Sequence, residues 1–237
     1  MTNKFLFSCI AGLIGLAAVG TSNLANSANS PQKLNVTSQQ IAQETTAQNN
    51  QNPKFSALEK AIFEETNRAR VNPAFYADLI EKQRSYYENN ILKVPGKTPI
   101  RTKEGLIAVD EAITFLRKTK PLAQLKFSQG MSKASQEQAT CLQDKNLSHD
   151  GCDGSKLNER LNRYGTFSVT AGENIAAGSH TAQDVVMQLI IDDGVLDRGH
   201  RENIYEPKFK VTGVSCNSHI KYKTICVINY AGGYKEK

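Results

Sequence analysis

Tryptophan is absent from this chain of 237 residues, and aromatic residues make up only 7% of it. Tryptophan is among the residues that most often anchor protein interfaces, so an aromatic binding platform is poorly supported. The chain also lacks G-x-S-x-G, a Walker-type phosphate loop and G-x-G-x-x-G. These absences argue against the commonest hydrolase and nucleotide-binding motifs.

Charge of either sign is also modest. The formal net charge is +6, the pI is about 9.0, and 22% of the residues are charged. Basic residues are scattered through residues 82–126 without an aromatic ladder, so we expect a solvated face and no nucleic-acid partner. The hydrophobic content of 39% is typical of a soluble globular protein that can bury a core.

The extreme N-terminus carries the one apolar run that approaches the length of a membrane-spanning helix. Lys4 precedes the mostly apolar residues 5–19, and small residues follow. This arrangement predicts a signal peptide at residues 1–27 that is cleaved on export, rather than a retained anchor. We therefore expect a secreted or cell-envelope protein, extracellular or periplasmic.

Residues 28–53 differ sharply in composition from the rest of the chain. Eleven of these 26 residues are Asn or Gln, and the only charges are Lys33 and Glu44. Such a segment has too few apolar residues to bury a core, so we expect a disordered tether. Ordered structure should begin near Phe55, as one domain over residues 54–237. A cell-wall adaptor, in which an uncleaved N-terminus anchors this tether, is an alternative.

Cysteine usage supports an exported protein. Removal of the signal peptide, which contains Cys9, leaves four cysteines: Cys141, Cys152, Cys216 and Cys226. An even count in an exported chain favours disulfides, and the short separations favour Cys141–Cys152 and Cys216–Cys226. The alternative is four buried, reduced side chains. The lack of C-x-x-C spacing argues against a zinc site made of thiolates.

Apolar periodicity predicts a chain that begins with helices and ends with strands. The helical patterns cover residues 55–70, 73–89, 105–118, 127–142, 155–164 and 181–193. The C-terminal tail alternates polar and apolar residues and predicts a hairpin that places Cys216 opposite Cys226. Because no strand–helix–strand rhythm is present, the fold class is α+β.

Three segments are richer in polar functional groups than packing requires. They are LSHDG (147–151), GENIAAG (172–178) and GHRENI (199–204), and each contains a histidine or a glutamate close to glycine that suits proton or metal chemistry. These residues are His149, Glu173 and His200. Two imidazoles and a carboxylate suit either a divalent metal or acid–base chemistry. Only the fold could bring them together, because 24 and 27 residues separate them.

The same segments, with the D-G-S-x-x-x-x-R stretch at residues 153–160, GHRENIYEPKFKVTGVSC and CVINYAGGY, resemble the CAP superfamily. This family comprises the SCP domains of cysteine-rich secretory proteins, antigen 5 and plant pathogenesis-related proteins, and the resemblance is to its bacterial branch. It covers about residues 55–234, and Asn67 and Arg70 agree with it. It implies an α-β-α sandwich with a small antiparallel sheet between helices, and a helical insertion at about residues 84–120.

The resemblance also implies a cleft lined by two histidines and two acidic residues. His149, Glu173 and His200 match three of the four positions. The fourth position, usually Glu in the family, falls on Asp192, with Asp193 beside it. The residues interpreted as scaffold that ties loops together are Asn174, Arg201 and Asn203. The residues outside the motifs that we expect to face solvent are His180 and His219.

The function implied by the resemblance is a secreted or cell-surface binding module with no secure catalytic activity. The alternative is a metal-dependent hydrolase or protease, with Zn²⁺ on His149 and His200 and water activated by Glu173 or Asp192. No cofactor is required by the residues, and a divalent metal, zinc or magnesium, is a candidate. We expect a monomer whose partner is a lipid or another ligand of the cell envelope.

Overall fold

The computed structural model describes residues 56–237, so the predicted signal peptide (1–27) and tether (28–53) lie outside the described residues. The helices are α1 (Ala57–Val71), α2 (Pro73–Arg84), α3 (Leu106–Lys118), α4 (Gln129–Cys141), α5 (Leu157–Tyr164), α6 (Ala182–Ile191) and α7 (Gly199–Tyr205). The strands are β1 (Tyr87–Glu88), β2 (Ile91–Leu92), β3 (Ile100–Arg101), β4 (Lys126–Phe127), β5 (Gly165–Ala177), β6 (Val211–His219) and β7 (Lys223–Glu236). Within residues 56–237, no helix combines the length and apolar character needed to cross a membrane.

Local sequence sets the ends of the first two helices. Ser56 and Glu59 form a capping box, in which each side chain accepts the backbone N–H of the other residue, at 3.2 and 2.8 Å. Asn72 ends α1 and also caps α2, because its side-chain oxygen accepts the N–H of Phe75 at 3.1 Å. Pro73 is the first residue of α2. The predicted break at Asn72–Pro73 is therefore confirmed.

The segment predicted as a helical insertion, residues 84–120, contains a small sheet as well as a helix. Helix α2 ends at Arg84 instead of continuing to residue 89. Strands β1, β2 and β3 then form an antiparallel sheet in that order. Asn89 adopts a positive φ of 52°, which permits the tight turn between β1 and β2. Helix α3 completes the segment.

The main sheet has the strand order β4-β6-β7-β5. Strands β6 and β7 form the predicted hairpin, and Cys216 lies directly opposite Cys226. Strand β5 pairs antiparallel with β7, with Glu173 opposite Asn229. The two-residue strand β4 pairs parallel with β6, so the sheet is mixed rather than purely antiparallel.

The expected order of helices first and strands last is wrong. Strand β5 is 13 residues long and lies between α5 and α6 in the chain. Its polar residues Glu173 and Asn174 are both fully buried, and tertiary partners satisfy them. Residues 166–171 alternate polar and apolar side chains, a strand signal that the helical reading of the chain passed over, whereas residues 172–177 show no such period.

The two faces of β5 contact different helices. Ala171 packs with α4 and α5 in a cluster that contains Met131, Ala134, Leu157, Leu161 and Ala231. On the opposite face a Cβ atom at Gly172 would lie 2.7 Å from the Oδ1 atom of Asn203 in α7. Glycine is therefore required for α7 to pack this closely. Helices on both sides of the sheet confirm the α-β-α sandwich and the α+β class.

Both predicted disulfides are confirmed. Cys141–Cys152 joins the end of α4 to the loop beyond His149, with Cα atoms 5.5 Å apart. Cys216–Cys226 crosses the β6–β7 hairpin, with Cα atoms 4.1 Å apart. The second separation is slightly shorter than the expected 4.4–6.8 Å, because the two residues are directly opposite in neighbouring strands.

Candidate functional site

Glu173 is the centre of a buried network on β5. Its Oε1 atom lies 2.8 Å from Nδ1 of His149, and its Oε2 atom accepts a hydrogen bond from Arg160 at 2.7 Å. The amide of Asn229, oriented with its nitrogen toward Glu173, donates to Oε2 at 3.0 Å. Both oxygens of this fully buried carboxylate are therefore engaged. Arg160 balances its charge in a region from which water is excluded.

The loop that carries His149 is held from three sides. Gln138 of α4 donates to the carbonyl oxygens of Ser148, at 2.6 Å, and Asp150, at 3.2 Å. Arg160 donates to the carbonyl oxygen of His149 at 3.1 Å, and the Cys141–Cys152 disulfide closes the loop. These contacts fix the backbone on both sides of the imidazole. The His149 side chain keeps 12% of its surface exposed.

His200 and Asp192 form a second pair of imidazole and carboxylate. Nδ1 of His200 lies 2.6 Å from Oδ1 of Asp192, and both side chains are buried. The other oxygen of Asp192 accepts the backbone N–H of His200 at 2.9 Å and that of Arg201 at 3.3 Å. Asp192 adopts the left-handed conformation, with φ 58° and ψ 41°, where α6 ends. This turn aims the carboxylate back at the start of α7.

Asp193 takes part in different contacts. Its carboxylate accepts the backbone N–H groups of Lys103, Glu104 and Gly105, at 2.6, 2.7 and 3.2 Å. These amides precede α3, so Asp193 ties this loop to the 84–120 segment. The geometry therefore favours Asp192 over Asp193 as the partner of His200.

Two arginines that flank His200 are also buried. Arg201 donates to the carbonyl oxygens of Ile190 and Ile191, at 2.6 and 3.0 Å, and so satisfies the C-terminal end of α6. Arg198 forms hydrogen bonds with the carboxylates of Glu104 and Glu111 at 2.7 Å. Hydrogen bonds from Arg198 hold the pKa values of Glu104 and Glu111 below their usual range.

These lowered pKa values predict a loss of stability in acid. A carboxylate with a depressed folded-state pKa stabilises the fold above its ordinary value, here 4.5, and this contribution is lost as the pH falls. We expect the midpoint of thermal unfolding to fall between pH 5 and pH 3, and to fall less in the double variant Glu104→Gln, Glu111→Gln. Unfolding scans across this range would measure both slopes. Equal slopes would contradict the prediction.

Asn174 and Asn203 connect the two imidazole–carboxylate pairs. Asn174 follows Glu173 on β5 and donates to the carbonyl oxygen of His200 at 3.0 Å. Asn203 of α7 donates to the side chain of Asn174 at 2.8 Å. Because neighbouring strand residues point to opposite faces, Glu173 and Asn174 approach their partners from opposite sides of β5. One short stretch of backbone therefore supports both histidines.

The hydrogen-bond pattern favours one tautomer for each histidine. A carboxylate oxygen lies within hydrogen-bond distance of Nδ1 of His149 and of His200, which favours the neutral tautomer with its proton on Nδ1. Metal-binding histidines commonly have such a carboxylate behind them. Within residues 56–237, however, no group of three or more His, Cys, Asp or Glu side chains could hold a metal ion. Convergence of the four residues on one cleft stays a prediction.

The other two histidines have different environments. His180 is exposed, as predicted, and its Nδ1 atom lies 2.8 Å from the hydroxyl of Thr224. The prediction that His219 faces solvent is wrong, because only 4% of its surface is exposed. Its Nδ1 atom accepts the N–H of Lys221 at 3.0 Å, and its Nε2 atom lies 3.0 Å from the carbonyl oxygen of Lys145. His219 therefore fixes the tip of the β6–β7 hairpin.

Sequence reasoning missed the roles of Gln138 and Arg160. Gln138 interrupts an apolar helical stripe, and a buried polar residue at such a position signals a tertiary hydrogen-bond partner. Arg160 belongs to the D-G-S-x-x-x-x-R stretch, but only the fold shows that it neutralises Glu173. Both residues act on the His149 loop.

Comparison with known proteins identifies the family to which this fold and motif set belong. The model of the cysteine-rich secretory protein family, CAP, matches residues 111–230, which is half of the chain. The chain therefore belongs to the CAP family. The matched region contains both imidazole–carboxylate pairs and begins at Glu111, so Glu104 lies outside it.

Individual relatives are similar over part of their length. The protein YkwD of Bacillus subtilis (strain 168) is 30% identical over 99 residues, which are 41% of this chain and 37% of YkwD. An outer surface protein from Borrelia burgdorferi matches with a TM-score of 0.39 and 18% identity, over 56% of this chain and 91% of that one. An extracellular protein containing an SCP domain from Bacillus anthracis matches with a TM-score of 0.36 and 23% identity, over 53% and 39%. The chain thus spans little more than a third of YkwD.

Proposed function

We propose that this protein is an extracytoplasmic binding module whose ligand binds at the site of His149, Glu173, Asp192 and His200, where the imidazole of His149 is partly exposed. Membership of the CAP family and two disulfides support export, because disulfides persist in oxidising compartments. The N-terminal signal at residues 1–27 stays a prediction. A lipid or another cell-envelope ligand stays the expected partner.

The observation that carries this proposal is that the carboxylates of Glu173 and Asp192 already form hydrogen bonds within the protein. Glu173 is bonded to His149, Arg160 and Asn229, and Asp192 accepts three hydrogen bonds from the start of α7. A general base must instead reach a reactant proton, directly or through water. These carboxylates are therefore suited to orienting imidazoles, which favours binding over hydrolysis.

The donor atoms of the site also indicate which metal ion it could hold. Catalytic zinc sites use three protein ligands and an open position, and the imidazoles supply two. Zn²⁺ would be held by the imidazoles of His149 and His200, where it could attract an anionic or carbonyl oxygen of a ligand. Mg²⁺ prefers oxygen ligands, and both carboxylates are engaged, so magnesium fits less well. Two protein ligands predict weaker binding than in a closed zinc site.

Titration with Zn²⁺ at pH 7.5 and pH 5.5 tests the metal. We expect binding at pH 7.5 and weaker binding at pH 5.5, because protons compete with the metal for the imidazole nitrogen. The double variant His149→Ala, His200→Ala should not bind, whereas His180→Ala should bind as the unmodified chain does. Equal affinity at both pH values, or binding that survives the double substitution, would exclude this site for zinc.

A peptide-hydrolysis assay tests the alternative function. The unmodified chain, loaded with Zn²⁺, should leave an unfolded protein substrate uncleaved over hours. Cleavage that a chelator stops, and that Glu173→Gln abolishes without unfolding the domain, would show a metal-dependent protease. That result would overturn the binding-module proposal.

A further inference from the structure

The His200 loop, defined as residues 192–201 and including the first residues of α7, makes reciprocal contacts with the 84–120 segment. From the loop, the carboxylate of Asp193 accepts three backbone N–H groups at residues 103–105. From the segment, the carboxylate of Glu104 accepts the backbone N–H of Gly194 at 2.6 Å. Each element therefore satisfies polar groups of the other, and neither would keep these contacts if they separated.

Two carboxylates of the 84–120 segment also bind the arginines that flank His200: Glu104 binds Arg198, and Glu111 binds both Arg198 and Arg201. Glu104 accepts hydrogen bonds from both terminal nitrogens of Arg198, at 2.7 Å each. Glu111 accepts hydrogen bonds from Arg198, at 2.7 and 3.0 Å, and from Arg201 at 2.8 Å. Paired hydrogen bonds between guanidinium and carboxylate fix orientation as well as position.

These contacts extend directly to the residue that orients His200. Arg198 also donates to the carbonyl oxygens of Asp192 and Val195, each at 2.9 Å. Arg198 itself adopts a left-handed conformation, with φ 53°, immediately before α7. A side chain other than glycine keeps this backbone geometry when its surroundings hold it there. The bonds to Glu104 and Glu111 supply that restraint.

Without the two carboxylates, the arginines would repel each other. Arg198 and Arg201 are 8% and 2% exposed, so water screens their charges poorly. The ring of Phe115, also from α3, lies 5.5 Å from the Arg201 guanidinium and adds a weaker attraction. Loss of Glu104 and Glu111 would therefore move the loop on which the Asp192–His200 pair depends.

We infer that Glu104 and Glu111 are positioning residues for His200, so that ligand binding at this histidine depends on the 84–120 segment. The consequence for ligand affinity rests on the proposed function; the consequence for the imidazole does not. His149 provides an internal comparison, because α4, α5 and the Cys141–Cys152 disulfide hold its loop.

The test uses the full chain with Glu104→Gln and Glu111→Gln, which preserve side-chain shape and remove the charges. Nitrogen-15 NMR at pH 8 reports the tautomer of each neutral imidazole. We expect His200 to lose its preference for a proton on Nδ1 while His149 keeps its own. Zn²⁺ affinity should fall about ten-fold, the low end of the effect of removing groups that orient metal ligands.

The matched control is Asp110→Asn, on the same helix as Glu111. Asp110 pairs with Arg84 of α2 on an exposed face, at 2.6 Å, and should leave both histidines unchanged. If the double variant does not fold, Glu111→Gln alone replaces it, with the same expected direction. Thermal unfolding is measured in parallel to separate positioning from stability.

The outcomes separate the two proposals. A lower unfolding temperature with an unchanged His200 tautomer would show a merely structural role and overturn the inference. Equal changes at His149 and His200 would show general loosening and would also overturn it. A change confined to His200 in a chain that binds no Zn²⁺ would support positioning and contradict the metal-binding proposal alone.

Discussion

Replacement of Arg160 by methionine is expected to destabilise the protein by about 3–5 kcal/mol, the usual cost of removing one partner of a buried ion pair. The carboxyl group of Glu173 would then remain in a fully buried position without the guanidinium that lies 2.7 Å away. The carbonyl oxygens of His149 and Ser155 would also lose donors at 3.1 and 2.9 Å. Equilibrium unfolding in urea measures the change in free energy.

Arg163 on the same helix provides the control. Its side chain is 40% exposed and pairs with Glu137 and Asp153 at the surface. Surface pairs contribute about 0–1 kcal/mol, so Arg163→Met should have a small effect. Glu173→Gln combined with Arg160→Met should recover part of the loss, because no buried charge remains. A loss below about 1 kcal/mol for Arg160→Met would show that water or another group neutralises Glu173.

Local signals in the sequence predict much of the fold. The break at Asn72–Pro73 follows from residues that are neighbours in the chain. The β6–β7 hairpin follows from alternation over a short loop, and the pairing of Cys216 with Cys226 follows from that hairpin. In each case the deciding contacts are close in sequence, so a pattern of a few residues carries the information.

Strand β5 shows what local patterns miss. Its C-terminal half is buried on both faces, and the buried residues include a carboxylate and an amide. Glu173 and Asn174 are compatible with this position only because Arg160 and the backbone of His200 satisfy them. Since those partners are 13 and 26 residues distant, no period in residues 172–177 could reveal the buried half of the strand, although residues 166–171 alternate polar and apolar side chains.

The sequence likewise predicts only part of the candidate site. Motifs identified His149, Glu173 and His200, but not which carboxylate serves which histidine. The adjacent residues Asp192 and Asp193 have the same chemistry and separate only in three dimensions. Asp192 orients His200 through a left-handed turn, while Asp193 accepts the backbone N–H groups that precede α3. The pairing of Asp192 with His200 therefore follows from the backbone conformation, and residue type alone does not reveal it.

The segment outside the family match illustrates how a site comes to depend on remote sequence. Glu104 precedes residues 111–230, yet it binds Arg198 beside His200. A chain that keeps the CAP motifs but lacks this carboxylate would need another neutralising group for Arg198. Comparison of motifs alone would therefore treat that chain and this protein as equivalent, although different groups would hold their His200 loops.

The second large effect is expected at Arg70, whose side chain is almost fully buried between α1 and the region after α7. It donates to the carbonyl oxygens of Ala123 at 3.1 Å, Ile204 at 2.6 Å, Glu206 at 3.2 Å and Phe209 at 3.3 Å. Burial lowers the pKa of this guanidinium. Arginine nevertheless keeps its positive charge at neutral pH. The charge is thus stabilised by backbone dipoles.

Arg70→Met should therefore lower the free energy of unfolding by about 3 kcal/mol or more, because each buried carbonyl left without a donor costs about 1–3 kcal/mol and partial relaxation offsets some of this. Arg68→Met is the matched control, since Arg68 lies on the same helix with 57% of its side chain exposed. Urea unfolding should show a small change for Arg68 and a large one for Arg70. Similar small changes in both would mean that water replaces the guanidinium, and the end of α7 would then be fixed by Tyr205, whose hydroxyl donates to Ala69 at 3.1 Å.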